Sequence, residues 1–413
     1  MKQMLHDSIW RHHDLRIMLP ARALSQFGDD LVLIVLMLRV FGAGHGPWSV
    51  TGLLLCSTVP VVVLAPVAGR LVDALPFKPL AIAVGLWQAG CCLGVAAVDP
   101  LWAVYGLVVL LQAGQVVSDP VWRAMVPSIA EPDEIGRVMG AGQALATLAA
   151  VGAPAIAGLL VATVGYGAPF VIDAATFCGL ALAATAIRAS RQTATAEQPE
   201  ETPGFSVWRD PLLRPLILGV CALVVAGEMT NVVEVFLVRG TLGATTFAFG
   251  LVGAALAGGI VVGSMLAGRH VPDSTRGPRT ALAAIALGLT IILAGLAPDI
   301  WVFAGAWALL GVANGFANVD GSTLLLNRAP ASHRGRVLAT VNGMVRGSSL
   351  AAMLLGGLGG TLLGPRATFV VAGTLMAVAA VALLVRLTRT LSAGSARSAA
   401  TPSAPPSEAG RPA

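Results

Sequence analysis

Apolar stretches of about 20 residues, the length of a bilayer-spanning helix, recur twelve times along the chain. They cover 17–41, 49–69, 79–98, 101–126, 137–163, 168–188, 212–238, 246–268, 278–297, 300–326, 336–361 and 366–388. Short polar or Gly/Pro-rich connections separate them, except for a polar linker at 189–211 rich in Thr, Glu and Pro. Residues 389–413 are a Ser/Ala/Pro tail whose composition predicts disorder. Twelve crossings place both termini on one side of the membrane.

The pattern repeats itself at an offset of 199 residues. Gly69-Arg70 and Val72 recur as Gly268-Arg269 and Val271, Pro79 as Pro278, Trp102 as Trp301 and Gly106 as Gly305. Gly136-Arg137-Val138 recurs as Gly335-Arg336-Val337, and Phe170-Val171 as Phe369-Val370. One ungapped register across separate regions implies two parallel copies of one unit. Two parallel membrane halves are the plan of an alternating-access transporter, with its site where the halves meet. The predicted fold is an all-α polytopic membrane protein: twelve transmembrane helices in two six-helix pseudo-symmetric halves around a central cavity. The halves are 1–188 and 212–388, joined by the 189–211 linker and followed by the 389–413 tail.

Composition agrees. The chain is 56% hydrophobic and 11% charged, against roughly 25% charged residues in soluble domains. The net charge of +5 does not predict a nucleic-acid partner, because the positive residues fall in short loops on one side. Only Arg239 and Arg366 lie on the opposite side, and Arg22, Arg39 and Arg346 lie within spans. By the positive-inside rule, both termini face the cytoplasm of a cell membrane. Cys56, Cys91, Cys92, Cys178 and Cys221 all sit in apolar segments, as packing residues and not a disulfide framework. No Cys/His cluster and no phosphate-binding Gly-rich loop with Lys-Ser/Thr occurs, so neither a metal, a cofactor nor ATP drive is expected. All six histidines lie outside the spans, and no catalytic set is expected.

Polar residues inside the spans are the candidate chemistry. The first span carries Arg22, Gln26, Asp29 and Asp30. Positions 22, 26 and 29 share one helical face, with Asp30 at its margin. An ionised side chain at the bilayer centre costs roughly 2.5–3.5 kcal/mol on insertion scales, so this face must look at a partner or at water. The fourth span repeats the stripe with Gln112, Gln115, Asp119 and Arg123, the tenth carries Asn314 and Asn318, and the seventh Glu228, Asn231 and Glu234. Asp29, Asp30, Glu228 and Glu234 are the candidate proton-coupling or substrate carboxylates, since a carboxyl in a poorly hydrated cavity can bind and release a proton. Arg22, Gln26, Gln112, Gln115, Asp119, Asn231, Asn314 and Asn318 are the candidate polar cavity lining. Arg22 can instead snorkel to the interface, and Asp119–Arg123 can be a plain i, i+4 ion pair. Asp173 and Arg346, lone ionisable residues in spans six and eleven, are expected to be paired structurally.

These features together resemble the major facilitator superfamily over residues from about 15 to 390. The loop Gly69-Arg70-Leu71-Val72-Asp73-Ala74-Leu75-Pro76-Phe77-Lys78 is similar to that family's gate motif, keeping Gly69, Leu71, Asp73 and Lys78 and lacking its inner Arg, Gly and Arg. The resemblance implies that Asp73 latches a cytoplasmic gate against the start of span eleven, near Gly335-Arg336, with Arg123 or Arg137 in reach. Gly152-Ala153-Pro154-Ala155-Ile156-Ala157-Gly158 resembles the fifth-span signature of family antiporters, with alanines at 153 and 157 in place of glycines. It implies export, with Gly152, Pro154 and Gly158 in close helix packing. Ser25-Gln26-Phe27-Gly28-Asp29, Val126-Pro127-Ser128 and Phe170-Val171-Ile172-Asp173-Ala174 resemble the macrolide-efflux and enterobactin-exporter branch. The expected protein is a monomeric, proton-coupled exporter of amphipathic small molecules, with the proton gradient as its driving force. A siderophore or secondary-metabolite exporter and a proton-coupled importer stand as alternatives.

Overall fold

A computed structural model of the chain describes residues 9–131, 134–189, 213–268, 273–328 and 334–399. Side chains at 213, 215, 216, 273, 274, 322, 324–328, 334–339, 342 and 386–399 are not among those described. The described residues form twelve long helices and no strand. We number them α1 His13–Gly42, α2 Pro47–Ala74, α3 Phe77–Ala97, α4 Leu101–Arg123, α5 Ile135–Thr163 and α6 Gly167–Ala186 in the first half. The second half holds α7 Leu213–Val235, α8 Thr246–Ala267, α9 Asp273–Gly295, α10 Ile300–Arg328, α11 Arg334–Leu362 and α12 Pro365–Ala399. A π-helical turn, Phe236–Thr241, extends α7, and a four-residue helix, Val126–Ile129, follows α4.

Ten of these helices are long and apolar enough to cross a membrane by length and hydropathy. The exceptions are α1, which carries Arg22, Asp29 and Asp30 in its middle, and the Gly- and Ser-rich α11. The expected linker at 189–211 lies almost wholly outside the described residues. At the carboxyl end α12 continues to Ala399, so part of the segment expected as a tail is helical.

The two halves pack alike. In the first, α1 packs on α5 and α6, α2 on α4, and α3 on α4 and α6; in the second, α7 packs on α11 and α12, α8 on α10, and α9 on α10 and α12. The helices α2 and α8, α4 and α10, and α5 and α11 begin 199 residues apart, at 47 and 246, 101 and 300, and 135 and 334. The turns keep the register too. Gly44 and Gly243, with φ of 77° and 64°, and Gly165 and Gly364, with φ of 96° and 79°, are the positive-φ residues described. Each follows the helix it terminates, where only a residue without Cβ takes a left-handed conformation cheaply.

These four turns mark one end of the molecule, here the distal end. There the halves are joined. Gly158 and Gly250 bring α5 and α8 into backbone contact: an added Cβ at Gly250 would lie 2.3 Å from the Pro154 carbonyl oxygen, and one at Gly158 2.7 Å from that of Thr246. Small residues at crossings permit such approach in lipid, where no hydrophobic force drives association. Thr51 on α2 donates to the Met353 carbonyl on α11 at 3.2 Å, and Phe41 meets Phe236 edge-on at 5.5 Å. One hydrophobic core runs through both halves at this end, from Leu31 and Val50 to Phe303 and Met353. At the opposite, proximal end, where α1 begins, a second core runs from Ile9 to Ile187, formed among the described residues by the first half.

Candidate functional site

Between the halves a cavity of about 570 Å³ is lined from α1 (Met18, Arg22, Gln26, Asp30), the end of α4 (Trp122, Arg123), α5 (Met139, Gln143, Thr147, Val151) and α8 (Ala257, Ile260). The lining is largely apolar, with its polar groups gathered on the α1 face and on one stripe of α5. Gln143 and Thr147, one turn apart, were not foreseen as lining. Thr147 returns its hydroxyl to the Gln143 main-chain carbonyl one turn back at 2.8 Å.

The stripes of α1 and α4 do meet. Arg22 donates to Asp119 at 2.6 Å, so it neither snorkels nor leaves Asp119 to Arg123. Gln115 bridges onward, donating to Asp29 at 3.2 Å and to Asp119 at 3.4 Å, while accepting from Gln88 on α3 at 2.6 Å. The adjacent carboxylates thus part ways. Asp30 lines the cavity and accepts from Gln26 at 3.0 Å, whereas Asp29 turns into the interhelical network. Gln112 makes no hydrogen bond in this network among the described residues.

The second half contributes differently. Asn231 donates to Glu228 at 2.8 Å, and Asn318 to Asn314 at 2.6 Å, each within its own helix. Glu234 is half-buried on α7, and the indole N–H of Trp307 on α10 is turned toward it without reaching hydrogen-bond geometry. None of these residues lines the cavity. The polar lining of this cavity comes from the first half.

The lone ionisable residues correct their expectation in part. Asp173 makes no ion pair among the described residues; it accepts from Cys92 at 3.2 Å and sits 3.0 Å from the Thr176 hydroxyl. Arg346 is exposed, and no ion pair to it occurs among the described residues. Sequence reading also missed a buried ion triplet, Asp320 (0% exposed) with Arg276 and Arg279, each at 3.1 Å. Its positions in the first half are Val121, Phe77 and Leu80, packed with Trp122 in the proximal core. At the proximal surface His12 bonds Glu134 at 2.9 Å and Arg11 reaches both Glu134 and Glu131. The His12 hydrogen bond, with help from the Glu131 amide and the Arg11 charge, holds the Glu134 carboxyl below its usual range against a smaller desolvation effect.

The family model described as Major Facilitator Superfamily matches residues 18–298 and 229–411. The chain belongs to the Major Facilitator Superfamily. It is a multi-pass membrane transporter of that type. It is 23% identical over 376 residues to the uncharacterized MFS-type transporter YfiS of Bacillus subtilis (strain 168), covering 88% of this chain and 90% of that protein. It is 26% identical over 335 residues to the lysophospholipid transporter LplT of Pectobacterium carotovorum subsp. carotovorum (strain PC1), covering 78% and 80%. Its fold matches the inward-facing, unoccupied crystal structure of a bacterial homologue of the human lysosomal transporter Spinster at a TM-score of 0.72, with 14% identity over 94% of this chain and 98% of that one.

In this superfamily member the gate residues Gly69, Asp73 and Lys78 are exposed at the proximal ends of α2 and α3. The side chains at 335 and 336 expected to meet Asp73 lie outside the described residues. Arg123, assigned to the gate by resemblance, lines the cavity. In the fifth span, Pro154 and Gly158 form the α5–α8 contact, and Gly152 approaches Phe27.

Proposed function

We propose that this superfamily member is a proton-coupled exporter of amphipathic small molecules. The observation that carries the reading is the division of labour between neighbouring carboxylates. Asp30 faces a largely apolar cavity, and Asp29 is tied through Gln115 to the Arg22–Asp119 pair. An amphipathic substrate buries its apolar body against Met18, Met139, Val151 and Ile260 and presents a polar or cationic group to Asp30. Protonation of Asp29 changes the charge balance of the network that joins α1 to α4, and so favours one arrangement of the halves over the other. A ligand shifts such an equilibrium only by its differential affinity for the two states. With the termini cytoplasmic, as the Lys/Arg bias argues, the cavity belongs to the inward-facing state, and substrate loads from the cytoplasm. The protein acts as a monomer in the cell membrane.

A second reading is transport of lysophospholipids. It is favoured by the likeness to LplT and by a cavity whose wall is mostly apolar with Arg22 and Arg123 on it. Substrate-induced proton movement in inside-out vesicles, with macrolides, hydrophobic cations, siderophores and lysophospholipids added in turn, separates the readings. Proton release from the lumen on adding one of the first three classes supports export by antiport. Lysophospholipid movement without proton release favours the second reading and refutes the coupling.

A further inference from the structure

The cavity leaves one buried acid out. Asp173 on α6 is 0% exposed, packed where α6 meets α1 and α3. Burying a charge without a counter-ion is expensive, the more so in a membrane interior. The hydrogen bonds around it need one more proton than an ionised aspartate brings. Thr176 Oγ1 lies 2.8 Å from the Asp173 main-chain carbonyl and 3.0 Å from Asp173 Oδ1. A hydroxyl carries a single hydrogen, and a carboxylate carries none. With an ionised Asp173, one of these two contacts would set oxygen lone pairs against each other. A carboxyl hydrogen on Oδ1 makes both of them hydrogen bonds, while Oδ2 accepts from the Cys92 thiol at 3.2 Å.

The same carboxyl is pressed against α1. An ideal Cβ on Gly28 would stand 2.0 Å from Asp173 Oδ1 and 2.9 Å from Thr176 Oγ1, so only glycine admits the acid here. The next residue is Asp29, the acid that Gln115 ties to Asp119. Arg22, bonded to Asp119, is the cation of that network. Gln88, one turn before Cys92 on α3, is 0% exposed, and its Oε1 has no donor although its amide nitrogen reaches Gln115.

We propose that Asp173 and Asp29 form a buried proton-binding pair, distinct from the cavity-facing Asp30, in which the α6 carboxyl holds the resting proton. A proton taken up from the gradient binds Asp29 and changes the charge on α1 alone, while Asp173 stays neutral on α6. Gln115, bonded to Asp29 and Asp119, carries the change to the Arg22 side of the network. The role in transport rests on the proton-coupled reading; the existence of the pair does not.

Infrared spectroscopy of the purified full-length protein in liposomes, with isotope-labelled aspartate, tests it. We expect a protonated-carboxyl band that is lost in Asp173→Asn, displaced in Cys92→Ala and Thr176→Val, and moved in its pH titration by Asp29→Asn. The two hydrogen-bond variants keep the test open should Asp173→Asn fail to fold. Superimposable spectra of wild type and Asp173→Asn would overturn the proposal. So would a band whose titration ignores Asp29→Asn, or a cluster whose spectrum responds to sodium and not to pH. Should the band behave as expected while no added substrate moves protons in vesicles, the pair stands and the export mechanism falls.

Discussion

Adding a single methyl group at Gly250 should turn the transporter toward its distally open form. In the described state an ideal Cβ there lies 2.3 Å from the Pro154 carbonyl oxygen and 3.2 Å from the Ala155 Cα. Ordinary contact begins near 3.4 Å, so α5 and α8 must separate by about 1.1 Å. Both partners are backbone, so no rotamer relieves the clash. Overpacking of this kind costs about 1–3 kcal/mol. Because α5 and α8 belong to different halves, the cost falls on distal closure and not on either bundle. A bias of 1–3 kcal/mol changes a two-state ratio by roughly 5- to 150-fold. Spin labels at Trp102 and Trp301, both exposed at the distal ends of α4 and α10, report the change as a longer inter-label distance in Gly250→Ala, in a background with the exposed Cys178 replaced by Ser. Gly263→Ala is the control. Its Cβ would meet the Val312 carbonyl at 2.1 Å, but inside the second half, so it should lower stability without lengthening that distance. Matching distance distributions in wild type and Gly250→Ala would refute the argument that this contact closes the distal gate.

Three further outcomes are expected. Asp29→Asn and Asp30→Asn should both abolish gradient-driven accumulation, but only Asp30→Asn should weaken substrate binding, measured by ligand-dependent thermal shift; equal binding losses would contradict the division between them. Asp320→Ala strands Arg276 and Arg279, which are 15% and 24% exposed, and should cost about 1–3 kcal/mol, less than a fully buried pair because both guanidiniums reach solvent; an unchanged melting temperature would show that the triplet contributes nothing. The Glu134 carboxyl sits below its ordinary value of 4.5, so its contribution is complete above that pH and is lost as pH falls through the lowered value; hydrogen exchange of residues 9–12 should rise only in that acid window, and Glu134→Gln should raise it at neutral pH as well.

The helices and their pairing were largely legible because hydropathy and the 199-residue register are properties of the chain read in order. The α1 and α4 stripes were legible for the same reason, since 3.6-residue spacing puts Arg22, Gln26 and Asp29 on one face before any partner is known. What escaped was whatever depends on residues isolated in apolar helices. Cys92 and Thr176 look like packing positions until the fold brings α3 and α6 together, and nothing in their neighbourhood flags Asp173 as anything but a structural acid. The second-half stripes carry in-helix bonds, Asn231 to Glu228 and Asn318 to Asn314, which spacing alone does not foretell. Cavity walls such as Trp122 and Gln143 exist only through the relative placement of α1, α4, α5 and α8, which no single-helix pattern records.

The unequal sharing of the two cores bears on how the chain is made. Among the described residues, the proximal core is built from residues between Ile9 and Ile187. It can therefore form as soon as the first six helices have left the ribosome, before any of the second half exists. The distal core has no such independence, since Leu31 and Val50 share it with Phe303 and Met353. During synthesis the first half would wait in the bilayer with one end packed and the other end unsealed, and the arriving second half would complete it. Domains fold as units in the order they emerge, so chaperone demand and degradation should concentrate on chains halted after α6, and substitutions in the distal core should be felt late in assembly.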